Sequence, residues 1–182
     1  MNQKYLVISD NHGNIPNMNN VIRKFSGKVS GLIHCGDLEV PPEYLMEMVD
    51  CPVWLATGNC DFIYDRDPET VFDLGPHRAL VTHGHRCDIR WGSEGILEHA
   101  RELGVDVVFF GHSHRPAHLY FREDDISCFN PGSIALPRQF DPYAPTFLLI
   151  DLDDDGQITP TFCYLGRMGK TIHSFEVPRD VI

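Results

Sequence analysis

Five short clusters of Asp, Asn and His recur along the first 114 residues: Asp10-Asn11-His12, Gly36-Asp37, Gly58-Asn59, His83-Gly84-His85 and Gly111-His112-Ser113-His114. Their side chains offer carboxylate oxygens, an amide oxygen and imidazole nitrogens, the donors preferred by borderline divalent cations such as Mn²⁺, Fe²⁺ and Zn²⁺. The six cysteines are scattered, with no paired spacing beside these donors, which argues against a structural zinc site. Each cluster also has a plainer reading. A lone His is more often a core or surface residue, Asp-Asn-His-Gly-Asn could be a turn with an N-cap, and Asn-Cys-Asp after Gly is good turn material. Five such clusters at corresponding places are not explained by turns. His34, His77, His99, His118 and His173 lie outside them and read as structural or solvated.

The elements that must carry these clusters are legible from hydrophobic period. Tyr5 to Ser9, Gly31 to His34, Val53 to Ala56, Ala79 to Thr82 and Val105 to Phe110 read as short buried strands, each running into one cluster. A helix is expected from Asn14-Ile15-Pro16 to about Phe25, another from Pro41-Pro42 through Met48, and a third after Ser93 as N-cap. Beyond residue 114 the helical signals stop. Leu119 to Phe121, Ile126 to Phe129, Phe147 to Ile150, Ile158 to Tyr164 and Ile172 to Val177 read as strands, with Asp153-Asp154-Asp155-Gly156 as a hairpin turn. That run of acids lacks the twelve-residue loop and final Glu of an EF-hand. Strand-helix alternation followed by strands predicts an α/β sandwich, partly parallel and extended by antiparallel strands. In open α/β sheets, ligands bind outside the carboxyl ends of the strands, where all five clusters fall.

Composition narrows the function classes. The chain has 182 residues, 42% hydrophobic and 23% charged, which fits one globular domain over residues 1–182. No apolar run approaches a membrane span, the first residues carry no signal-peptide pattern, and the scattered cysteines fit a reducing cytoplasm. The net charge of −11 repels nucleic acid and anionic membranes at long range, so neither is expected as a partner.

In order, the clusters read D-x-H, G-D, G-N, H-G-H and G-H-x-H over residues 10 to 114. The chain thereby resembles the calcineurin-like metallophosphoesterases, and among them the small YfcE-type phosphodiesterases. The resemblance implies a four-layer α/β/β/α sandwich of two mixed β-sheets flanked by helices. It also implies two divalent metal ions, Mn²⁺ first and Fe, Zn, Ni or Mg as alternatives. By the same likeness Asp10, His12 and His114 would hold one ion, Asn59, His83 and His112 the other, and Asp37 would bridge them. A metal-bridging hydroxide would attack a small phosphoester, with His12 and the ions stabilising the equatorial oxygens. Two dications would outweigh Asp10, Asp37 and a hydroxide, so the resemblance implies a cationic pocket inside an acidic protein.

His12, Asn59 and Cys60 are the candidate catalytic groups, and Asn11 and Arg138 the candidate substrate contacts. Many relatives carry a His after the G-N pair, but here the block is Gly58-Asn59-Cys60-Asp61. A thiol is a poor substitute for an imidazolium acid at neutral pH, so Cys60 reads equally as a packing residue. Asn130-Pro131-Gly132-Ser133 and Pro137-Arg138 resemble loops that flank the metal pocket in the family. Homodimers or homotetramers are implied by the same likeness. The competing reading is a protein-interaction scaffold like the retromer subunit of this fold, whose metal site is altered at ligand positions. All seven ligand-type residues are intact here.

Overall fold

The computed structural model describes residues 2–62 and 67–182. One six-stranded sheet has at its centre β1 (Gln3–Ile8), with β2 (Gly31–His34) and β3 (Val53–Leu55) parallel to it on one side. On its other side β9 (Thr146–Leu152), β10 (Ile158–Leu165) and β11 (Ile172–Phe175) follow antiparallel. The second sheet runs β12 (Arg179–Val181), β7 (Pro116–Phe121), β8 (Ile126–Pro131), β6 (Val107–Phe109), β5 (His77–Val81) and β4 (Thr70–Leu74). Within it β5, β6 and β8 are parallel.

Alternation along the strands builds the layers. In β1, Tyr5 and Val7 face the second sheet and pack with Val81, Phe109 and Phe129. Leu6 and Ile8 point the other way, onto Met18, Val21 and Ile22 of helix α1 (Ile15–Phe25) and Leu45 of helix α2 (Glu43–Met46). On the far side, Leu80, Val108 and Cys128 meet Ile96 and Ala100 of helix α3 (Glu94–Leu103). The result is the expected α/β/β/α sandwich, its central layer apolar and rich in aromatic rings. No helix among the described residues is long and apolar enough to cross a membrane.

Some local expectations shift. Strand β4 was not expected, although Phe72 and Leu74 are buried between exposed Val71 and Asp73, and Gly75-Pro76 turns it back onto β5. Edge strand β12 is exposed along its length, so it carries no burial pattern to read; Arg179 lies over the Tyr120 ring instead. Helix α2 covers only four residues of the expected eight. Ser93 sits at the N-cap of α3, but its hydroxyl makes no capping bond.

Candidate metal centre

The loops leaving β1, β2 and β3 in one sheet and β5, β6 and β8 in the other converge at the common carboxyl edge of the sandwich. Backbone bonds continue the ladder past the strand ends: Asp10 N–H to Gly36 C=O at 3.1 Å, His12 N–H to Asp37 C=O at 3.0 Å, and Gly111 N–H to His83 C=O at 3.1 Å. The chain must bend sharply here. Six of the eight described non-glycine residues with positive φ lie in these loops: Asp10, His12, Asp37, Glu39, His112 and His114. Such backbone costs about 1–3 kcal/mol per residue, and Asp and His are among the side chains that tolerate it best. Gly58 and Gly111 have a different reason to be glycine. A Cβ on Gly58 would strike the carboxylate and backbone N of Asp37, and one on Gly111 the Ser9 hydroxyl.

Hydrogen bonds at the rear of each ring decide which nitrogen faces the pocket. His83 Nδ1 donates to Cys35 C=O at 2.7 Å and His114 Nδ1 to Leu136 C=O at 2.8 Å. His12 Nδ1 is 2.6 Å from the Glu39 carboxylate. Each arrangement leaves the Nε2 lone pair pointing inward, as in metal-binding histidines oriented by a carbonyl or carboxylate. The carboxylates are oriented in the same way. Asp10 Oδ2 accepts from the Ser9 hydroxyl at 2.5 Å and from His112 N–H at 3.1 Å, and Asp37 Oδ1 accepts from Cys60 N–H at 2.8 Å. Their other oxygens face the pocket.

The inward atoms form one connected set. Asp10 Oδ1 is 3.1 Å from His114 Nε2 and 3.9 Å from both His12 Nε2 and His83 Nε2. Asp37 Oδ2 is 3.3 Å from His83 Nε2 and 3.7 Å from His12 Nε2. His83 Nε2 also lies 3.1 Å from Asn59 Oδ1 and 3.3 Å from His112 Nδ1. Asp10 Oδ1 is fully buried with no hydrogen-bond donor, although His114 is near, because the nitrogen facing it is the one that carries no proton. His12 Nε2 and His114 Nε2 stand 3.2 Å apart, two lone pairs face to face. Two donors each ~2.1 Å from one ion sit about 3.0–3.4 Å apart at octahedral or tetrahedral angles. The residues therefore fit divalent cations.

Protons and metal cations compete for this pocket. Burial alone would lower His83, yet Asp37 and Asp10 raise it above the ordinary histidine range. Burial alone would raise Asp37, but His83 beside it holds the carboxyl well below the usual range. Burial, His83 and Arg90 push His112 down to about 4, so its ring stays neutral and able to ligate.

The structure brings Asp10, His12, Asp37, Asn59, His83, His112 and His114 together. Both Asp10 and Asp37 reach between the two histidine groups, so Asp37 shares the central position. Cys60 lies beside His12 and Glu39, its backbone N–H donates to Asp37 Oδ1, its thiol also bonds Asp37, and its sulfur accepts from the Asn59 amide at 3.4 Å. Asn11 is placed behind the pocket: fully buried, its amide donates to Leu38 C=O at 2.7 Å and accepts from His34 at 2.9 Å. Having no exposed surface, it offers nothing for a substrate to touch, so the expected substrate contact is not supported by this placement. Arg138 is exposed and its backbone N–H donates to His114 C=O at 3.1 Å.

Several supporting residues were missed. Asp61 accepts from the N–H groups of Glu39 and Gly58, tying two loops together. The Ser133 hydroxyl donates to Asp10 C=O at 2.8 Å, and Asn130 donates to Gly111 C=O at 2.8 Å. Their signal was present in the Asn130-Pro131-Gly132-Ser133 segment, whereas Glu39 had none.

Residues 4–155 match the family described as the calcineurin-like phosphoesterase superfamily domain. The chain belongs to the calcineurin-like phosphoesterase superfamily. It is 37% identical over 134 residues to the probable metallophosphoesterase YsnB of Bacillus subtilis, covering 73% of this chain and 76% of that protein. To phosphodiesterase YfcE of Escherichia coli K12 it is 26% identical over 162 residues, covering 76% and 83%. A predicted phosphoesterase from Streptococcus pneumoniae superposes with a TM-score of 0.77 at 28% identity, over 96% and 99% of the two chains. Vps29 of Entamoeba histolytica, in complex with Zn²⁺, shares the fold at a TM-score of 0.74 and 20% identity, over 95% and 97%. The superfamily assignment and the donor set agree on a metal-dependent hydrolase of phosphoesters.

Proposed function

We propose that the protein is a phosphodiesterase that works with two divalent cations, Mn²⁺ first among them, on small phosphoesters. The observation that carries this reading is the convergence of two carboxylate oxygens and four inward imidazole nitrogens on one pocket. Asp10, His12 and His114 would hold one cation, Asn59, His83 and His112 the other, with Asp37 between them. Bound there, two such ions supply Lewis-acid polarisation of a phosphoryl group and acidify a water that can attack it. The chain's own residues do the positioning. Glu39 holds His12, the Cys60 N–H holds Asp37, and the His112 N–H with the Ser9 hydroxyl holds Asp10. Asn59, exposed at the mouth, has an amide N–H to offer a phosphoryl oxygen. The name of YfcE supports diesters as the substrate class. The likeness to Vps29 is one of fold, and the intact donor set favours the enzyme over a scaffold.

The test is a screen of chelator-treated, Mn²⁺-reconstituted protein against bis(p-nitrophenyl) phosphate, p-nitrophenyl phosphate and cyclic nucleotides. Metal-dependent hydrolysis, fastest on a diester, is expected. Asp37→Asn removes the central charge and should lower turnover by about 10²-fold or more with the fold intact by circular dichroism. Near wild-type activity in reconstituted Asp37→Asn protein would refute the mechanism.

A further inference from the structure

The loop that presents His112 and His114 turns its middle residue, Ser113, toward a cavity of about 440 Å³. Arg90, Arg115 and Arg138 line that cavity, and Ile89 and Phe110 contribute apolar surface beneath them. No carboxylate lines it, and among the described residues none of the three guanidinium groups has an ion-pair partner. A chain of net charge −11 with only 15 Lys and Arg thus places three unpaired cations around one hollow. A second cavity, along α3, is instead lined mainly by acids, with Glu94, Glu98 and Glu102 beside Arg86. Like charges brought together without counter-charges repel, and an anion between them relieves that repulsion.

The cavity is also tied to the metal-ligand loop. Arg115 N–H donates to Ser113 Oγ at 3.3 Å, and Arg138 N–H donates to His114 C=O at 3.1 Å. A substrate phosphoryl group at the centre would therefore have this cavity beside it. Guanidinium groups bind phosphate and carboxylate oxygens through paired N–H donors, and an apolar floor suits the carbon skeleton between two anionic groups.

We infer that this cavity is a subsite for a second anionic group of the substrate, a phosphate or carboxylate carried by the same molecule as the scissile ester. The inference rests on the phosphodiesterase reading and narrows its substrate class to phosphoesters bearing at least one further anion. It assigns Arg90 and Arg115, alongside Arg138, to substrate selection.

Two probes differ by one phosphate: the p-nitrophenyl ester of thymidine 5′-phosphate, and the same ester carrying a 3′-phosphate. With Mn²⁺-loaded enzyme the KM for the second should be lower by roughly tenfold, and the advantage should shrink as salt is raised. In the Arg90→Gln/Arg115→Gln variant, which replaces two exposed side chains, the KM ratio should fall toward one. A second readout needs no turnover. Inorganic pyrophosphate titrated into chelator-treated protein should bind roughly tenfold more weakly to the variant than to wild type. Equal KM values for the two probes in wild type, or unchanged pyrophosphate binding in the variant, would overturn the subsite. Failure to hydrolyse either probe would count against the phosphodiesterase reading instead, with the titration still deciding the subsite.

Discussion

At the scale of single residues, the site is a set of conflicts of the kind a bound cation would resolve. Asp10 Oδ1 is buried without a donor, and the Nε2 atoms of His12 and His114 face each other at 3.2 Å. An unsatisfied buried carboxylate oxygen is costly, and such orphans call for a ligand or a function. Cys60 is the residue whose chemistry departs most from the family pattern. Burial, then Asp37, pushes its thiol up to about 11, so it stays protonated at neutral pH and is a much weaker general acid than an imidazolium. Hydrolysis should then depend steeply on leaving-group acidity, with aryl esters faster than alkyl esters by about 10²–10⁴-fold. The measurement is a plot of log kcat/KM against leaving-group pKa. Cys60→Ala should keep the wild-type slope, since the backbone N–H to Asp37 survives, while Cys60→His should flatten it. An unchanged slope in Cys60→His would show that another group already protonates the leaving oxygen.

At the scale of elements, the strands end where the chemistry begins, and the turns at the opposite edge hold the layers in register. His77 opens β5 and is bonded on both sides of its ring, 2.6 Å from Asp106 Oδ2 and 2.7 Å from Gly156 C=O. Two acceptors require two N–H donors, so this histidine clamps the β9–β10 hairpin to the second sheet as an imidazolium. Burial lowers its pKa, but the Gly156 carbonyl and Asp106 more than offset that, and the net shift is upward. A folded value above the unfolded one means stabilisation that is fully present below the unfolded value, about 6.5, and lost as pH rises through the folded value. Thermal melts of wild type and His77→Gln should therefore differ most near about pH 5.5 and converge toward about pH 8.5. A difference in Tm that stays constant over that range would show that His77 contributes packing and not charge.

At the scale of the whole molecule, an acidic body of net charge −11 gathers its proposed metal donors at one edge, where two sheets and six loops meet. A ligand that binds only the folded state stabilises it by mass action, by about 2.7 kcal/mol at a hundredfold excess over Kd. Mn²⁺ should raise Tm in a concentration-dependent way, and a chelator should reverse the rise. Asp10→Asn should lose most of this response, because its inward oxygen lies within 3.9 Å of three histidines of the proposed centre. A wild-type Tm indifferent to Mn²⁺ would rule out a folded-state metal centre.

The five clusters and the strands that carry them were legible in the sequence, because burial on alternate faces and residue type at strand ends are local properties. The four-layer α/β/β/α arrangement was implied only by the family resemblance. Legible too were the glycines of the G-D, G-N and G-H pairs, though not why they are there. Only the tertiary structure shows that Gly58 leaves room for the Asp37 carboxylate, contributed by a different strand. The same holds for Asn11, whose neighbours in sequence are pocket residues but whose amide is spent on His34 and Leu38. Glu39 and Arg90 carried no motif, and β12 no burial pattern. Their roles come from contacts between segments far apart in the chain, and neither hydrophobic period nor residue spacing encodes which segments will meet.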